Sequence, residues 1–318
     1  MTIVLYLKGG AFKFGLSTIL LALLLSATLF ASPTGLRTLD RQLRIDILWD
    51  GESHSETYYQ VQRGNSAEGP FELLPDVANF PLYSDYLGEA GKTYYYRVRV
   101  ARREGDVLHP TSEWSEPVAG TSRHFDGVAL LEEMQEAATR YVTIGSHPNS
   151  GLTCEWITTR SPDPGTPLGT RRSERKIGAS GATGMGVTNY IVAVEHGWMT
   201  RAEAAGAVLC ALRFLDTKAE RFHGAFSHWI DNETGEAVPF SKFDDGADVA
   251  ETSLLLQGVL IAREFFDADT SVETELRAVA NRIWLSVDWS HFRKDGGDVL
   301  YWHWSPKHGW KMNMQVRG

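Results

Sequence analysis

Two different rhythms of apolar and polar residues divide the chain. From residue 36 to about 122 the period is two. Leu43–Trp49 (LRIDILW), Tyr58–Arg63 (YYQVQR) and Thr93–Val100 (TYYYRVRV) alternate apolar with polar positions and are rich in β-branched and aromatic types. That pattern predicts strands with one buried face. Turn signals separate them at Asp50-Gly51, Gly64-Asn65, Gly69-Pro70 and Gly88 to Gly91. The spacing fits a small all-β sandwich. From His124 the period lengthens to that of a helix. Val128–Tyr141 places Leu131, Met134 and Ala138 at helical spacing. Further helices are expected at Val187–His196, from a Thr200 cap with Glu203 at N3 to about Lys218, from about Ala247 to Phe266, and from Val272 to about Val287 behind Ser271 or Thr270. Aromatic hairpins are expected at Gly224–Phe240, turning at Asn232–Gly235, and at Val299–Met312.

The stretches outside these rhythms add other expectations. Lys8 and Lys13 precede an apolar run, Phe14 to Phe30, with small residues at Ala31 and Ser32. Residues 1–31 therefore read as a signal peptide, or as an uncleaved anchor, because the run approaches the ~18–20 residues that cross a bilayer. The expected location is secreted or periplasmic, with membrane contact only through that segment. Cys154 and Cys210 could pair in an oxidising compartment or stay as thiols. Gly145–Ser180 reads as a long loop. Gly178–Gly186 (GASGATGMG) invites a phosphate-loop reading, but it lacks the Gly-Lys-Ser/Thr signature and a preceding strand. Small residues entering a helix read instead as room for a close helix contact.

A length of 318 residues suits two domains or one large one. The expected division is 36–122 for the sandwich and 124–318 for the helical region. A net charge of −9 without a basic stripe argues against nucleic acid as a partner. Ten Trp are many, and several fall in polar, turn-rich segments where aromatic rings often stack on sugars. For any single Trp, a core position explains the residue equally simply.

The candidate chemistry gathers at Lys242–Gly258 (KFDDGADVAETSLLLQG). Asp244, Asp248 and Glu251 would fall within roughly 60° on one helix face if the helix already included Asp244. Converging carboxylates raise at least one pKa, as general acid chemistry requires. The plainer reading makes Asp245 an N-cap with Asp248 at N3. His228 and Trp229 precede the cluster, and Trp302 and Trp304 follow it; these four are the candidate sugar contacts. No His-Glu-x-x-His or Gly-x-Ser-x-Gly motif appears, so no metal or serine nucleophile is expected.

Two resemblances sharpen the reading. Trp49, the TYYYRVRVARR segment and SEWSEPVAGTS resemble a fibronectin type III domain over about 85 residues. Such domains host many functions, which suggests a spacer or docking module; Tyr58, Tyr59 and Tyr94–Tyr96 are expected in core and cross-strand packing, with sugar binding as the alternative. The order and spacing of KIGASGATGMGVTNYIVAVEHGWMTRAEAAGAVLCALRFL, HGAFSHWIDNETGE and DDGADVAETSLLLQGVLIAREFFDAD resemble the glucoamylase-like domain of glycoside hydrolase family 144. That resemblance implies a six-fold α/α toroid, of which about five helices are legible here. It also implies an endo-β-1,2-glucanase type of activity, with inverting hydrolysis of a β-glucan and no cofactor, and a cleft lined by Asp244, Asp248 and Glu251. In the family a further carboxylate follows the Trp-rich hairpin. Its position would lie past Gly318, so the chain is expected to be a truncated hydrolase with little or no activity on its own. The alternative is a non-catalytic glycan-binding or cell-surface interaction protein; a third is a degenerate product without a stable fold. In the binding reading Asp248→Asn leaves glucan affinity intact, whereas in the enzyme reading it abolishes turnover.

Overall fold

The computed structural model describes residues 3–7, 10–14, 31–51, 57–75, 81–104, 107–155 and 176–316. The run expected to serve export lies outside these residues from position 15 onward, as do positions 156–175 of the expected loop. Among the described residues no helix is long and apolar enough to cross a membrane. A short hairpin, β1 (Ile3–Leu7) and β2 (Gly10–Phe14), comes first. The chain divides into two compact units at Phe125 and Asp126.

Besides that hairpin, the described residues of the first unit form two antiparallel sheets. One has β3 (Thr34–Arg41), β4 (Arg44–Asp50) and β7 (Leu82–Tyr86), in the order β3-β4-β7. The other has β5 (Thr57–Gly64), β6 (Phe71–Leu73), β8 (Thr93–Glu104), β9 (Val107–Pro110) and β10 (Val118–Thr121), in the order β10-β8-β5-β6 with β9 on β8. Alternation drives this arrangement. Ile45, Ile47 and Trp49 from one sheet meet Tyr59, Val61, Tyr96, Val98 and Val100 from the other in a single core. Asp85 ties the sheets together with a polar clasp. It accepts from Tyr96 Oη at 2.8 Å and from Arg63 Nη1 at 3.0 Å. Burial, then the adjacent Asp85, pushes the Tyr96 phenol well above its ordinary pKa.

The second unit holds five helices among its described residues: α1 (Gly127–Gly145), α2 (Ser180–Glu195), α3 (Arg201–Thr217), α4 (Val249–Phe265) and α5 (Ser271–Leu285). Their caps follow local chemistry. Thr200 and Glu203 form a capping box at α3, and Thr270 caps α5. The broadest contacts join alternate helices, α2 with α4 and α3 with α5, rather than consecutive ones. Arg201 with Glu273, Arg213 with Glu275 and Arg282 with Asp216 bridge α3 to α5.

Glycines explain the closeness of α2 and α4. A Cβ at Gly184 would collide with the backbone of Leu254 and Leu255, and one at Gly258 with the carbonyl of Gly184. The Gly-rich run is thus a helix-contact surface, as its small residues imply. It does not precede the helix, however: α2 starts at Ser180, seven residues before the expected Val187. Buried contact with α4 outweighs the poor helix propensity of those glycines.

Short strands carry the connections. β12 (Trp229–Asp231) pairs with β13 (Ala237–Val238) in the expected hairpin, and β11 (Ile177–Ala179) adds on the other side. The second expected hairpin is reduced to a tight turn in which Ser305 and Gly309 exchange backbone hydrogen bonds. β15 (His303–Trp304) pairs not within 299–312 but with β14 (Ala247–Asp248), in the register Ala247↔Trp304 and Asp248↔His303.

Candidate functional site

The acids of Lys242–Gly258 are gathered by a turn, a strand and a cap rather than by helical periodicity. Asp244 closes a turn in which Phe240 N–H donates to Asp244 C=O at 2.9 Å. Asp248 ends β14 and is the N-cap of α4, its Oδ1 accepting from Glu251 N–H at 2.9 Å. Both expectations for this stretch are therefore corrected. α4 does not reach back to Asp244, so the three carboxylates do not share a helix face. Asp245 is not the cap, and Asp248 is not at N3. The extended backbone of the β14–β15 pairing holds the chain out of helix until Val249, so the cap falls on Asp248 and N3 on Glu251. Asp245 instead lies 3.6 Å from Lys307 Nζ.

Asp248 is the hub, at 1% exposure. Besides capping α4, its Oδ1 accepts the Trp302 indole N–H at 2.8 Å. Its Oδ2 lies 3.5 Å from His228 Nδ1. Burial disfavours the His228 imidazolium, but the Asp248 carboxylate, with Glu251 and Glu155 behind it, outweighs burial and raises the His228 pKa. Asp244 is matched to a second histidine. His303 Nε2 lies 3.1 Å from Asp244 Oδ1, and His303 is 1% exposed. Neither His303 ring nitrogen has a hydrogen bond of good alignment, so the contact is chiefly electrostatic.

Glu251 sits at the opposite edge of the cluster, against the start of α2. Its Oε2 accepts the Gly181 N–H at 2.9 Å. A side chain at Gly181 would collide with that carboxylate, so glycine is required for this approach. Burial pushes the Glu251 pKa above the ordinary glutamate range. His228 and the Gly181 N–H oppose the rise, and Asp248 and Glu155 add to it. Burial thus favours the protonated form of this carboxyl, the direction a proton donor requires.

Comparison with known proteins gives this geometry a context. An exo-β-1,2-glucooligosaccharide sophorohydrolase from Parabacteroides distasonis is 35% identical over 280 residues, covering 86% of this chain and 36% of the relative. The crystal structure of a β-1,2-glucanase from Parabacteroides distasonis matches 92% of this chain and 39% of that one, with a TM-score of 0.78 at 32% identity. An endo-β-1,2-glucanase from Chitinophaga pinensis, solved with sophorotriose and glucose, matches 61% of this chain and 44% of that one, with a TM-score of 0.55 at 34% identity. Over the stretch it shares with them, the chain is similar to β-1,2-glucan hydrolases. It spans about a third of the curated relative's length. No protein-family model matches it.

The structure brings together Asp244, Asp248, Glu251, His228 and Trp302, and Trp302 is 38% exposed at the edge of this group. Two expected sugar contacts are packed inward, Trp229 beside His228 and Phe240, and Trp304 against the helical core. Trp229 is 3% exposed and packs with Ile177 and Ala179, because its strand is covered by β11 on one side and β13 on the other. Trp304 lies against the helical core, edge-on to His223 at 4.8 Å and to His291 at 5.3 Å. Its one neighbour in β15, His303, faces Asp244 instead, because side chains alternate along a strand. Residues the sequence did not single out include His303, Gly181, Glu155 and Phe240, whose ring stacks on His228 at 4.4 Å. Phe240 and Gly181 lie close in chain to the acids and to the Gly-rich run, whereas Glu155 and His303 are distant from both in sequence.

Among the described residues, His228, Asp244 and Asp248 are the group whose ligand atoms come close enough to hold a metal ion, within 4.8 Å of one another. Their donors are already engaged. Trp302 and the α4 cap occupy Asp248 Oδ1, and His303 neighbours Asp244. The set fits a hydrogen-bonded polar cluster better than a metal cage.

Proposed function

We propose that the helical unit carries a carbohydrate cleft of a glycoside hydrolase that acts on β-1,2-glucan or its oligosaccharides without a cofactor. The observation that carries this reading is the half-buried Glu251 carboxyl with a raised pKa, beside the buried Asp248 and its half-buried partner His228. Glu251 is the proton donor to the leaving glycosidic oxygen. Asp248 shapes the site: its oxygens hold Trp302, His228 and the first turn of α4. Asp244, steadied by His303, binds sugar hydroxyls. Hydrolysis needs a second carboxyl group on the other side of the scissile bond, about 6.5–9.5 Å away in the inverting mode proposed here.

The finer architecture belongs to the same proposal. The sheet orders β3-β4-β7 and β10-β8-β5-β6 support a fibronectin type III reading of the first unit, occupying 36–122 as a spacer or docking module. Contacts between alternate helices support placing 124–318 in an α/α toroid of the family 144 type. An N-terminal export signal puts the protein in the periplasm or outside the cell.

The test is incubation of the purified chain with linear β-1,2-glucan and sophorotriose, reading released sugars by chromatography and affinity by calorimetry. Turnover lost in Glu251→Gln supports the enzyme reading. Binding without turnover supports the non-catalytic alternative for this stretch of chain. Neither binding nor turnover with any β-glucan sinks the proposal.

A further inference from the structure

Phe240 is 44% exposed, although its ring is stacked on His228, the half-buried member of the Asp248–His228 pair. The ring lies 4.4 Å from the His228 imidazole at 24°, and 4.5 Å from Trp229 at 53°. Of the more exposed aromatic rings described in the second unit, Tyr141, Phe240, Trp284 and Trp302, two touch this pair. Phe240 stacks on His228, and Trp302 donates to Asp248. Leaving a large apolar ring in water forgoes the stabilisation of burying it, roughly 1.5–3 kcal/mol for a whole side chain. The turn nevertheless holds this ring in place. Phe240 N–H is bonded to Asp244 C=O, and Asp244 N–H to Ser241 C=O at 3.2 Å. Phe240 and Asp244 are therefore the two ends of one closed turn, an aromatic face at one end and a carboxylate at the other. A pyranose presents the complementary pattern, an apolar C–H face with hydroxyls around its rim.

We propose that Phe240 is a specificity-determining platform, against which the C–H face of one glucose unit of a β-1,2-linked oligosaccharide packs while Asp244 takes hydroxyls at its edge. The inference rests on the carbohydrate reading above and adds a residue that this reading did not use. Leucine at the position keeps apolar bulk but loses the flat face; tryptophan enlarges it.

The experiment is calorimetric titration of the full chain with sophorotriose, comparing wild type, Phe240→Leu, Phe240→Trp, His228→Gln and the Phe240→Leu/His228→Gln double variant, each checked by thermal unfolding. The expected result is an affinity about tenfold weaker for Phe240→Leu. Phe240→Trp stays within about threefold of wild type, and the tenfold loss persists in the His228→Gln background. Should Phe240→Leu fail to fold, Phe240→Met is read in its place. Unchanged affinity in the leucine variant overturns the platform and leaves the carbohydrate reading standing. A loss that vanishes once His228 is replaced also overturns it, because Phe240 then acts only by propping the imidazole. A wild-type chain that binds no β-1,2-glucan oligosaccharide overturns both.

Discussion

The indole N–H of Trp302 donates to Oδ1 of Asp248 at 2.8 Å, joining residues 54 positions apart. The same oxygen caps α4 through the Glu251 N–H. One side chain thus fixes a helix start, a distant aromatic and, through Oδ2, His228. Asp248→Ala is expected to cost about 1–2 kcal/mol for the cap, and about 1 kcal/mol more for the lost indole bond. Asp248→Asn keeps a capping oxygen and costs less, yet it removes the charge that sustains the His228 imidazolium. Urea unfolding checks the first statement. An NMR titration showing a lower His228 pKa in Asp248→Asn checks the second.

The raised His228 pKa fixes the sign of a pH effect. The folded state holds this proton more tightly than the unfolded chain, whose histidine titrates near ~6.5. The resulting stability is fully present below that value and is lost as pH rises through the higher folded pKa. Glu251 acts in the same sense, from a lower starting point near ~4.3, since its folded pKa is also raised. The melting temperature is therefore expected to fall across the histidine window in wild type and to change less there in His228→Gln. Thermal scans at closely spaced pH values measure the difference.

Two glycine substitutions should move stability in opposite directions. Gly258→Ala places a methyl group against the Gly184 carbonyl at the α2–α4 contact. It is expected to destabilise by about 1–3 kcal/mol and to shift Glu251 relative to Gly181. Gly206, inside α3, faces open space: a Cβ there would meet nothing within 4 Å. Gly206→Ala is expected to stabilise by about 0.5–1 kcal/mol through helix propensity. Denaturant unfolding of both variants tests the pair.

Periodicity made the elements legible: five helices, the alternating strands with Trp49 and Tyr96 inside, and the Thr200 capping box all follow from local pattern. Local pattern could not say where α4 begins. Asp245 and Asp248 are equally good caps by type, and the choice fell to β15, a strand more than fifty residues later whose pairing keeps Ala247–Asp248 extended. The same non-local pairing sets His303 beside Asp248 in register, an arrangement no spacing in the sequence reveals. Trp229 and Trp304 show the converse limit. Residue type suggested sugar contacts, but burial depends on which strands flank them. The Gly-rich run could be read as a packing surface from composition alone, yet its partner Gly258 became visible only in the fold.

Glu251→Gln separates chemistry from architecture at this site. The glutamine carbonyl can still accept the Gly181 N–H that Glu251 accepts at 2.9 Å, so the junction of α2 and α4 stays satisfied. The N–H of residue 251 still reaches Asp248, so the cap is untouched. Replacing a half-buried carboxyl by a neutral amide also removes the penalty of ionising it, which predicts equal or greater stability above neutral pH. An amide cannot deliver a proton to a leaving oxygen. Turnover of β-1,2-glucan is accordingly expected to fall by about 10²–10⁴-fold, with sophorotriose affinity held within about threefold. Glu251→Ala, by contrast, orphans the Gly181 N–H at a helix start and should lose stability as well as rate. Equal losses of stability in the two variants, or full turnover in Glu251→Gln, would show that this carboxylate shapes the junction without serving as the acid.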